Sequence, residues 1–362
     1  MNDPTPLFRG LRIGALELPG NLFLAPVAGY SDAAFRSVCI DQGAELCYTE
    51  MVSSEALTRD HPKTKELLGR AENETRLAVQ LFGAKPEVLA DAAVRLLAWE
   101  PSLIDLNCGC PVPKIIRSGA GSALMRDSGR IGAIVRAMRE ALDAAGRSEL
   151  PVTVKIRSGW DAATISFREA ADAAVEAGAA AVTLHARTKA QGYGGHADWS
   201  QIRELSEALP VPVFGSGDVF SARDVQRMLR ETGCAGVMIA RGAMGNPFIF
   251  RETRDLLAGR EPRRPGIEER AAVARRHLEL SCRFLGERTA CLEFRKQFCS
   301  YSRGTRSGAE LRAEAVRCST FAEFSAMLDR WVALDQGMEP GHGVEPDRRS
   351  GGEDQGEAVF LR

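Results

Sequence analysis

The sequence predicts an α/β protein: a (β/α)8 TIM barrel with a C-terminal helical domain. Eight short apolar runs alternate with helix-patterned stretches between about Asn21 and Phe250, and strict alternation of this kind means a parallel sheet. The span covered, roughly 230 residues, is the length of a closed eight-unit barrel. The first strand ends in Ala25-Pro26-Val27-Ala28-Gly29-Tyr30, without the G-x-G-x-x-G turn that an open doubly wound sheet carries there.

The strands are expected at 22–25, 45–48, 77–81, 103–106, 152–156, 181–184, 211–214 and 236–240. Each is a short apolar run bounded by turn residues or charges. Between them, 86–99, 130–144, 166–177 and 221–231 repeat apolar residues at spacings of three and four, the period of a helix with one buried face. Beyond Gly259 the alternation stops. REPRRPG at 260–266 reads as a linker, and helices are expected near 267–285, 292–301, 308–318 and 321–334. From Gln336 the chain is rich in Gly, Glu and Asp and nearly free of apolar residues, so a disordered tail is expected. The domains are therefore 1–255, 256–335 and 336–362.

Composition narrows the class. The 362 residues are 44% hydrophobic and 26% charged, with net charge -1, as in soluble globular proteins. The charge is uneven: residues 254–335 hold 16 Lys and Arg against 12 Asp and Glu. Such an excess suits either a polyanion-binding appendage or a solvated Arg-rich surface. The nine cysteines include no C-x-x-C pair, so neither a disulfide framework nor a metal site is expected, and free thiols point to a reducing compartment. MNDPTPLFRG at the start lacks the signal-peptide pattern, and no apolar run is long enough to span a membrane. A cytoplasmic protein is expected.

In such barrels the chemistry sits at the C-terminal ends of the strands. Those positions hold Pro26, Val27 and Ala28; Gln80; Asn107 to Pro111, with Cys108 and Cys110; Lys155 and Arg157; His185 and Arg187; Ser216, Gly217 and Asp218; and Ala240, Arg241 and Gly242. Glycines after the last two strands let backbone N–H groups approach a phosphate, a recurring use of this fold, and nearby helix starts at Ser221 and at Asn246-Pro247 would add their dipoles. Lys155 with His185 suits the polar edge or ribityl chain of a flavin. A Schiff-base lysine with the same phosphate site is the alternative, with fold-level logic favouring the flavin. A cysteine in a tight loop before a proline is placed to act as an acid or nucleophile.

At this point the chain resembles the flavin-dependent tRNA-dihydrouridine synthases, the bacterial B-type in particular. The matching stretches include LAPVAGYSDAAFR (24–36), IDLNCGCPVPKIIRSGAGSALMRD (104–127), VKIRSGWD (154–161), LHARTKAQGYGGHADW (184–199), VFGSGDVFSARD (213–224), GVMIARGAMGNPFIF (236–250) and EFRKQFCSYSRG (293–304). The resemblance implies FMN as cofactor, NADPH as reductant and tRNA as substrate, with the working form expected to be a monomer. It places Pro26, Val27 and Ala28 along the flavin ring and Gln80, Lys155 and His185 on ring and ribityl groups. Ser216, Gly217, Asp218, Ala240 and Arg241 fall at the phosphate, and Cys110 becomes the general acid. Asn107 and Arg187 would bind the uracil, with Arg295, Lys296 and Arg303 on the RNA backbone. Val27 and Cys108 stand where that family usually has methionine, Ser216 where it has asparagine and Ala186 where it has glycine. Cys108 raises the idea of a disulfide with Cys110. The remaining readings are a flavin enzyme of small pyrimidines or enones and a non-catalytic tRNA-binding protein.

Overall fold

A computed structural model describes residues 6–336. The chain opens with a hairpin that the sequence reading missed, β1 (Leu11–Ile13) and β2 (Leu16–Leu18). Then follow β3 (Leu22–Leu24), β4 (Leu46–Tyr48), the two-residue β5 (Val52–Ser53), β6 (Leu77–Phe82), β7 (Leu103–Asn107), β8 (Val152–Gly159), β9 (Val182–Thr188), β10 (Val213–Ser216) and β11 (Gly236–Ile239). All the strands from β3 on pair in parallel. The order β3-β4-β6-β7-β8-β9-β10-β11 closes on itself through the β11–β3 and β4–β6 pairings, with β5 beside β6. This is the expected eight-stranded barrel.

Period-two alternation puts one face of every strand inside and the other against the helices. The inner apolar residues include Phe23, Leu46, Leu103, Ala181, Phe214 and Met238, and Ile13 and Leu18 of the hairpin pack onto them from the N-terminal end. The hairpin therefore plugs one end of the barrel, which leaves the other for chemistry. Its alternation is only three residues per strand, too short for the pattern to register.

The barrel helices are α1 (Ala33–Asp41), α2 (Ser54–Thr58), α3 (Pro62–Leu67), α4 (Pro86–Arg95), α5 (Pro113–Arg117), α6 (Ser128–Ala144), α7 (Phe167–Glu176), α8 (Trp199–Ala208), α9 (Ala222–Thr232) and α10 (Ile249–Leu257). Their apolar stripes bury against the outer strand faces in the largest core cluster, at about 1.5–3 kcal/mol for each large side chain. Side-chain caps mark several starts: Asp32 accepts from Phe35 N at 2.8 Å, Asp127 from Arg130 N at 2.9 Å and Ser221 from Asp224 N at 3.2 Å, each satisfying an otherwise orphaned N–H.

Boundaries differ from the sequence reading in informative places. β8 and β9 run on to Gly159 and Thr188, because the parallel register between them continues past the apolar run into Arg157↔His185. The stretch 86–99 changes from α to a 3₁₀ turn at Leu96–Trp99. The helix expected near Asn246-Pro247 begins at Ile249, and α10 crosses the expected boundary after 255. The Asn246 side chain instead donates to Gly242 O at 3.3 Å.

After an irregular segment come α11 (Ile267–Leu285), α12 (Glu287–Tyr301), α13 (Gly308–Ala315) and α14 (Phe321–Gln336). They share a core of their own around Leu278, Phe294, Phe298, Tyr301, Phe324 and Trp331. Gln336, expected to open the tail, ends α14; the rest of that expected tail lies outside the described residues. This module docks on the barrel beside β3 and β11. Leu280 of α11 packs on Ala34 and Val38 of α1, and the His277 ring stacks on Phe35 at 5.3 Å. Burial pulls His277 down to about 4, so it packs as a neutral ring.

One buried ion pair fixes the β3–α1 unit on which the module rests. Arg36 Nε and Nη2 donate to Glu74 at 2.6 and 2.9 Å, and Nη1 donates to Ser31 O at 2.9 Å, with no solvent at either side chain. Glu74→Ala leaves that guanidinium uncompensated, and the expected loss is about 3–5 kcal/mol. Denaturant midpoints of the two proteins check it; a loss under about 1 kcal/mol would show that water reaches Arg36.

Candidate active site

Inner-facing residues of β6 to β10 are polar toward their C-terminal ends, and there they form one network. Asp105 of β7 lies two residues before Asn107, so both point into the barrel. Gln80 Nε2 donates to Asp105 Oδ2 at 2.7 Å, and Thr153 Oγ1 donates to Oδ1 at 2.6 Å. Asn107 Nδ2 donates to Gln80 Oε1 at 2.7 Å. Asn107 Oδ1 in turn accepts the N–H groups of Gly109 and Cys110, at 3.0 and 2.9 Å. The loop is closed from the other side by Ser122, whose N–H and hydroxyl donate to Cys110 O at 3.0 and 2.9 Å.

The chain of bonds holds Cys110 at the mouth, partly exposed, while Cys108 is fully buried in the barrel–helix core. Cys108 faces the barrel–helix core and Cys110 the mouth, and both are free thiols here. Burial pushes the Cys110 thiol up, outweighing the Val112 N–H at its sulfur and the cations Arg157 and Lys155. It is protonated at neutral pH, the form a proton donor needs.

Lys155 has no hydrogen bond or ion pair among the described residues. Burial pulls it down to about 8, helped by Arg157 and opposed by Asp105 and Cys110. Burial, then Lys155, Arg157, Arg187 and Arg241, hold His185 well below its ordinary value, so the ring is neutral. A half-buried ammonium without a partner, beside a neutral imidazole, calls for an acceptor-rich ligand.

The β9 and β10 ends are joined by a nearly buried pair. Arg187 Nη2 donates to both Asp218 oxygens at 2.7 and 2.8 Å and to Gly195 O at 2.7 Å, and Nε donates to Gly194 O at 3.1 Å. Asp218 also accepts Ala197 N–H at 2.8 Å. Its carboxylate is thus fully occupied, and only its backbone is left to meet a ligand. Gly217, at φ +109°, brings that backbone close; a Cβ there would meet Ala197 Cβ and His185 Cδ2 at 2.9 Å. Ser216 Oγ donates to Met238 O at 3.1 Å. Ala240 opens the 3₁₀ turn that carries Arg241, whose guanidinium lies over Tyr193 at 4.6 Å and Phe220 at 5.1 Å.

The structure gathers Pro26, Val27, Ala28, Gln80, Asn107, Cys110, Lys155, His185, Arg187, Ser216, Gly217, Asp218, Ala240 and Arg241 at the strand ends of one barrel. It does not bring Arg295 there: that side chain donates to Cys318 O within the helical module, at 2.9 Å from Nη2. Lys296 lies between, with Nζ 3.2 Å from Glu293 and 5.2 Å from the Tyr30 ring centre. Sequence reasoning missed Asp105 and Thr153 entirely and left Arg157 without a role. Arg157 ties Gly109 O, Thr188 O and Gly192 O together at 2.7, 2.9 and 3.0 Å. Asp105 was findable: a carboxylate inside an apolar strand run, in phase with Asn107. No group of three His, Cys, Asp or Glu among the described residues is arranged to hold a metal ion.

A closed (β/α)8 barrel with a protonated thiol, an unpaired lysine and glycine-lined loops on one rim defines an enzyme of the TIM-barrel class. The chain belongs to the dihydrouridine synthase (Dus) family, whose profile matches residues 23–336. A probable tRNA-dihydrouridine synthase of Treponema pallidum (strain Nichols) is 49% identical over 89% of this chain and 96% of its own length. Another so named, from Mycobacterium tuberculosis, is 38% identical over 91% of this chain and 85% of its own. Among solved structures, histamine dehydrogenase from Rhizobium sp. 4-9 superposes with a TM-score of 0.54 at 16% identity, over 76% of this chain. A 2-naphthoyl-CoA reductase does so at 0.54 and 9%, over 70%. The chain spans about half the length of those two structures, and the likeness is one of fold. No helix among the described residues is long and apolar enough to cross a membrane.

Burial raises Asp105 from 3.8 to about 6, against the hydrogen bonds from Gln80 and Thr153 and the charge of Lys155. A carboxyl raised on folding contributes stability that is complete below its unfolded pKa, near 4, and lost as pH rises through about 6. Two pKa units correspond to roughly 3 kcal/mol. Asn at this position keeps both bonds by presenting its oxygen to Gln80 and its amide to Thr153. The stability difference, Asp105→Asn minus wild type, should therefore rise between about pH 4 and 7, by up to about 3 kcal/mol. Unfolding curves across that range measure it, and a flat difference would mean the carboxyl titrates as if exposed.

Proposed function

We propose that this protein reduces uridines in tRNA to 5,6-dihydrouridine, with FMN seated in the barrel mouth and NADPH as reductant. The observation that carries the reading is the protonated Cys110 thiol, fixed at the mouth beside Lys155, in a chain of this family.

The residues present suit the cofactor. Lys155 supplies a cation with no protein partner, and His185 a neutral imidazole. Gly217 gives close backbone approach, and a Cβ on Gly242 would collide with the Val219 carbonyl. The backbone of 216–218 and the Arg241 guanidinium are the donors for a phosphate, with Pro26, Val27 and Ala28 as the apolar edge. When bound there, the flavin supplies the hydride for C6 of the uracil.

This chain's own residues do the rest. Cys110 gives the proton to C5. Arg187 keeps Nη1 free of any carbonyl or carboxylate, its nearest contact being His185 Nε2 at 3.5 Å, so it can donate to a uracil oxygen on which negative charge grows. Asn107 orients the thiol and presents its amide group at the same place. Gln80, with both polar ends engaged, supports Asn107 in addition to any contact with the ring. The target base must leave its stack to enter. The positive excess of the helical module, with Lys296 and Arg303, holds RNA phosphates, while Arg295, expected beside them, is spent on Cys318 O. We place the protein in the cytoplasm, as a monomer, in keeping with nine cysteines that include no C-x-x-C pair.

The purified protein should be yellow, release FMN on denaturation and form dihydrouridine in tRNA with NADPH. Cys110→Ala should keep the flavin and lose about 10²–10⁴-fold in turnover on tRNA. Undiminished turnover would remove the thiol from the acid role. A colourless protein that forms no dihydrouridine would end the reading.

A further inference from the structure

The barrel carries a second cationic surface on the side away from the helical module. In strand order β8 stands four places from β3 in either direction, and the module docks on α1, which follows β3. Trp160 comes directly after β8. The Arg126 guanidinium lies 4.9 Å and the Lys189 ammonium 4.7 Å from its ring centre. The 3₁₀ segment Gly121–Arg126 packs on both β8 and α5, and α5 exposes Lys114 and Arg117.

None of these four cations has a hydrogen bond or ion pair to a carboxylate among the described residues. The acids close to them in sequence are otherwise engaged. Asp127 caps α6 and pairs with Arg130, and Asp161 accepts from Ala163 N at 3.0 Å and Thr164 Oγ1 at 2.8 Å. The indole therefore holds two long cationic side chains where no acid competes for them, which reduces the rotamer freedom they would lose on meeting an anion. The surface is also tied to the chemistry. α5 begins three residues after Cys110, and Arg157 bonds Gly109 O and Thr188 O, joining the thiol's loop to the one that carries Lys189.

We propose that Lys114, Arg117, Arg126 and Lys189, the last two oriented by Trp160, form a second contact surface for the RNA backbone, across the mouth from the helical module. This rests on the reading of RNA as substrate. A nucleotide drawn into the mouth has chain leaving on both sides. Contacts on one side alone let that chain pivot, whereas phosphate contacts on both sides fix the base over the thiol.

The test uses full-length flavoprotein in which all four are replaced by Gln, beside Trp160→Leu. Readouts are tRNA Kd against salt, flavin content and the KM for NADPH. In the fourfold variant tRNA affinity should fall at least about tenfold, and the slope of log K on log salt should lose about 3, near 0.7–0.9 per phosphate contact. Trp160→Leu should weaken binding less and leave the slope nearly unchanged. Flavin content and the KM for NADPH should match wild type in both. Unchanged tRNA affinity and slope, in a wild-type background that does bind tRNA, overturns the surface alone. A raised KM for NADPH with unchanged tRNA binding also overturns it, and assigns the cations to the dinucleotide's phosphates. A wild-type protein that binds no tRNA overturns both this surface and the function it rests on.

Discussion

The arrangement of the mouth depends on one buried carboxyl. Asp105 sits inside a closed barrel, where an ionised group is costly, and it is retained with two short hydrogen bonds and a pKa raised to about 6. Its value is positional. Through Gln80 it fixes the amide plane of Asn107, and through Asn107 it fixes the N–H groups of Gly109 and Cys110. Three side chains on two neighbouring strands thereby set the place of a thiol on a loop. A loop alone would hold that thiol loosely; strands with a hydrogen-bonded interior hold it firmly.

The electrostatics of the mouth are lopsided. Lys155, Arg157, Arg187 and Arg241 converge there, and Asp218 meets only some of that charge, at 2.7 Å from Arg187 and 3.6 Å from Arg241. Burial, with that excess added to it, keeps His185 neutral and draws Lys155 below its ordinary value. It also favours an anionic or acceptor-rich ligand. The same cations are structural: Arg157 donates to three backbone carbonyls and Arg187 to two, at the end of β9 and in the loops after β7 and β9. Charge and loop geometry are therefore not independent at this site.

The helical module adds a second level of order. Its own aromatic core makes it a separate packing unit, yet His277 and Leu280 seat it on α1, the helix whose Arg36 is locked to Glu74. Lys296 thus reaches Tyr30, on the loop after β3, from a fixed base. Arg295 next to it turns to Cys318 O, so adjacent cations on one helix serve different ends.

The fold class was readable in the sequence because eight apolar runs at helix-plus-strand spacing leave few topologies, and the absence of a dinucleotide turn removed the main competitor. The strand ends were readable as a rule of the fold, which is why most of the candidate residues do lie on one rim. Pairing was not readable. That Asp218 takes Arg187 rather than a solvent-facing role, that Arg157 staples three carbonyls, and that β8 and β9 extend past their apolar cores are consequences of register between strands 25 to 50 residues apart in the chain. The seat of α11 on α1 escaped for the same reason, and the β1–β2 plug because three residues per strand are too few to show a pattern. Local periodicity reports which face of an element is buried; which partner it is buried against is decided only when the barrel closes.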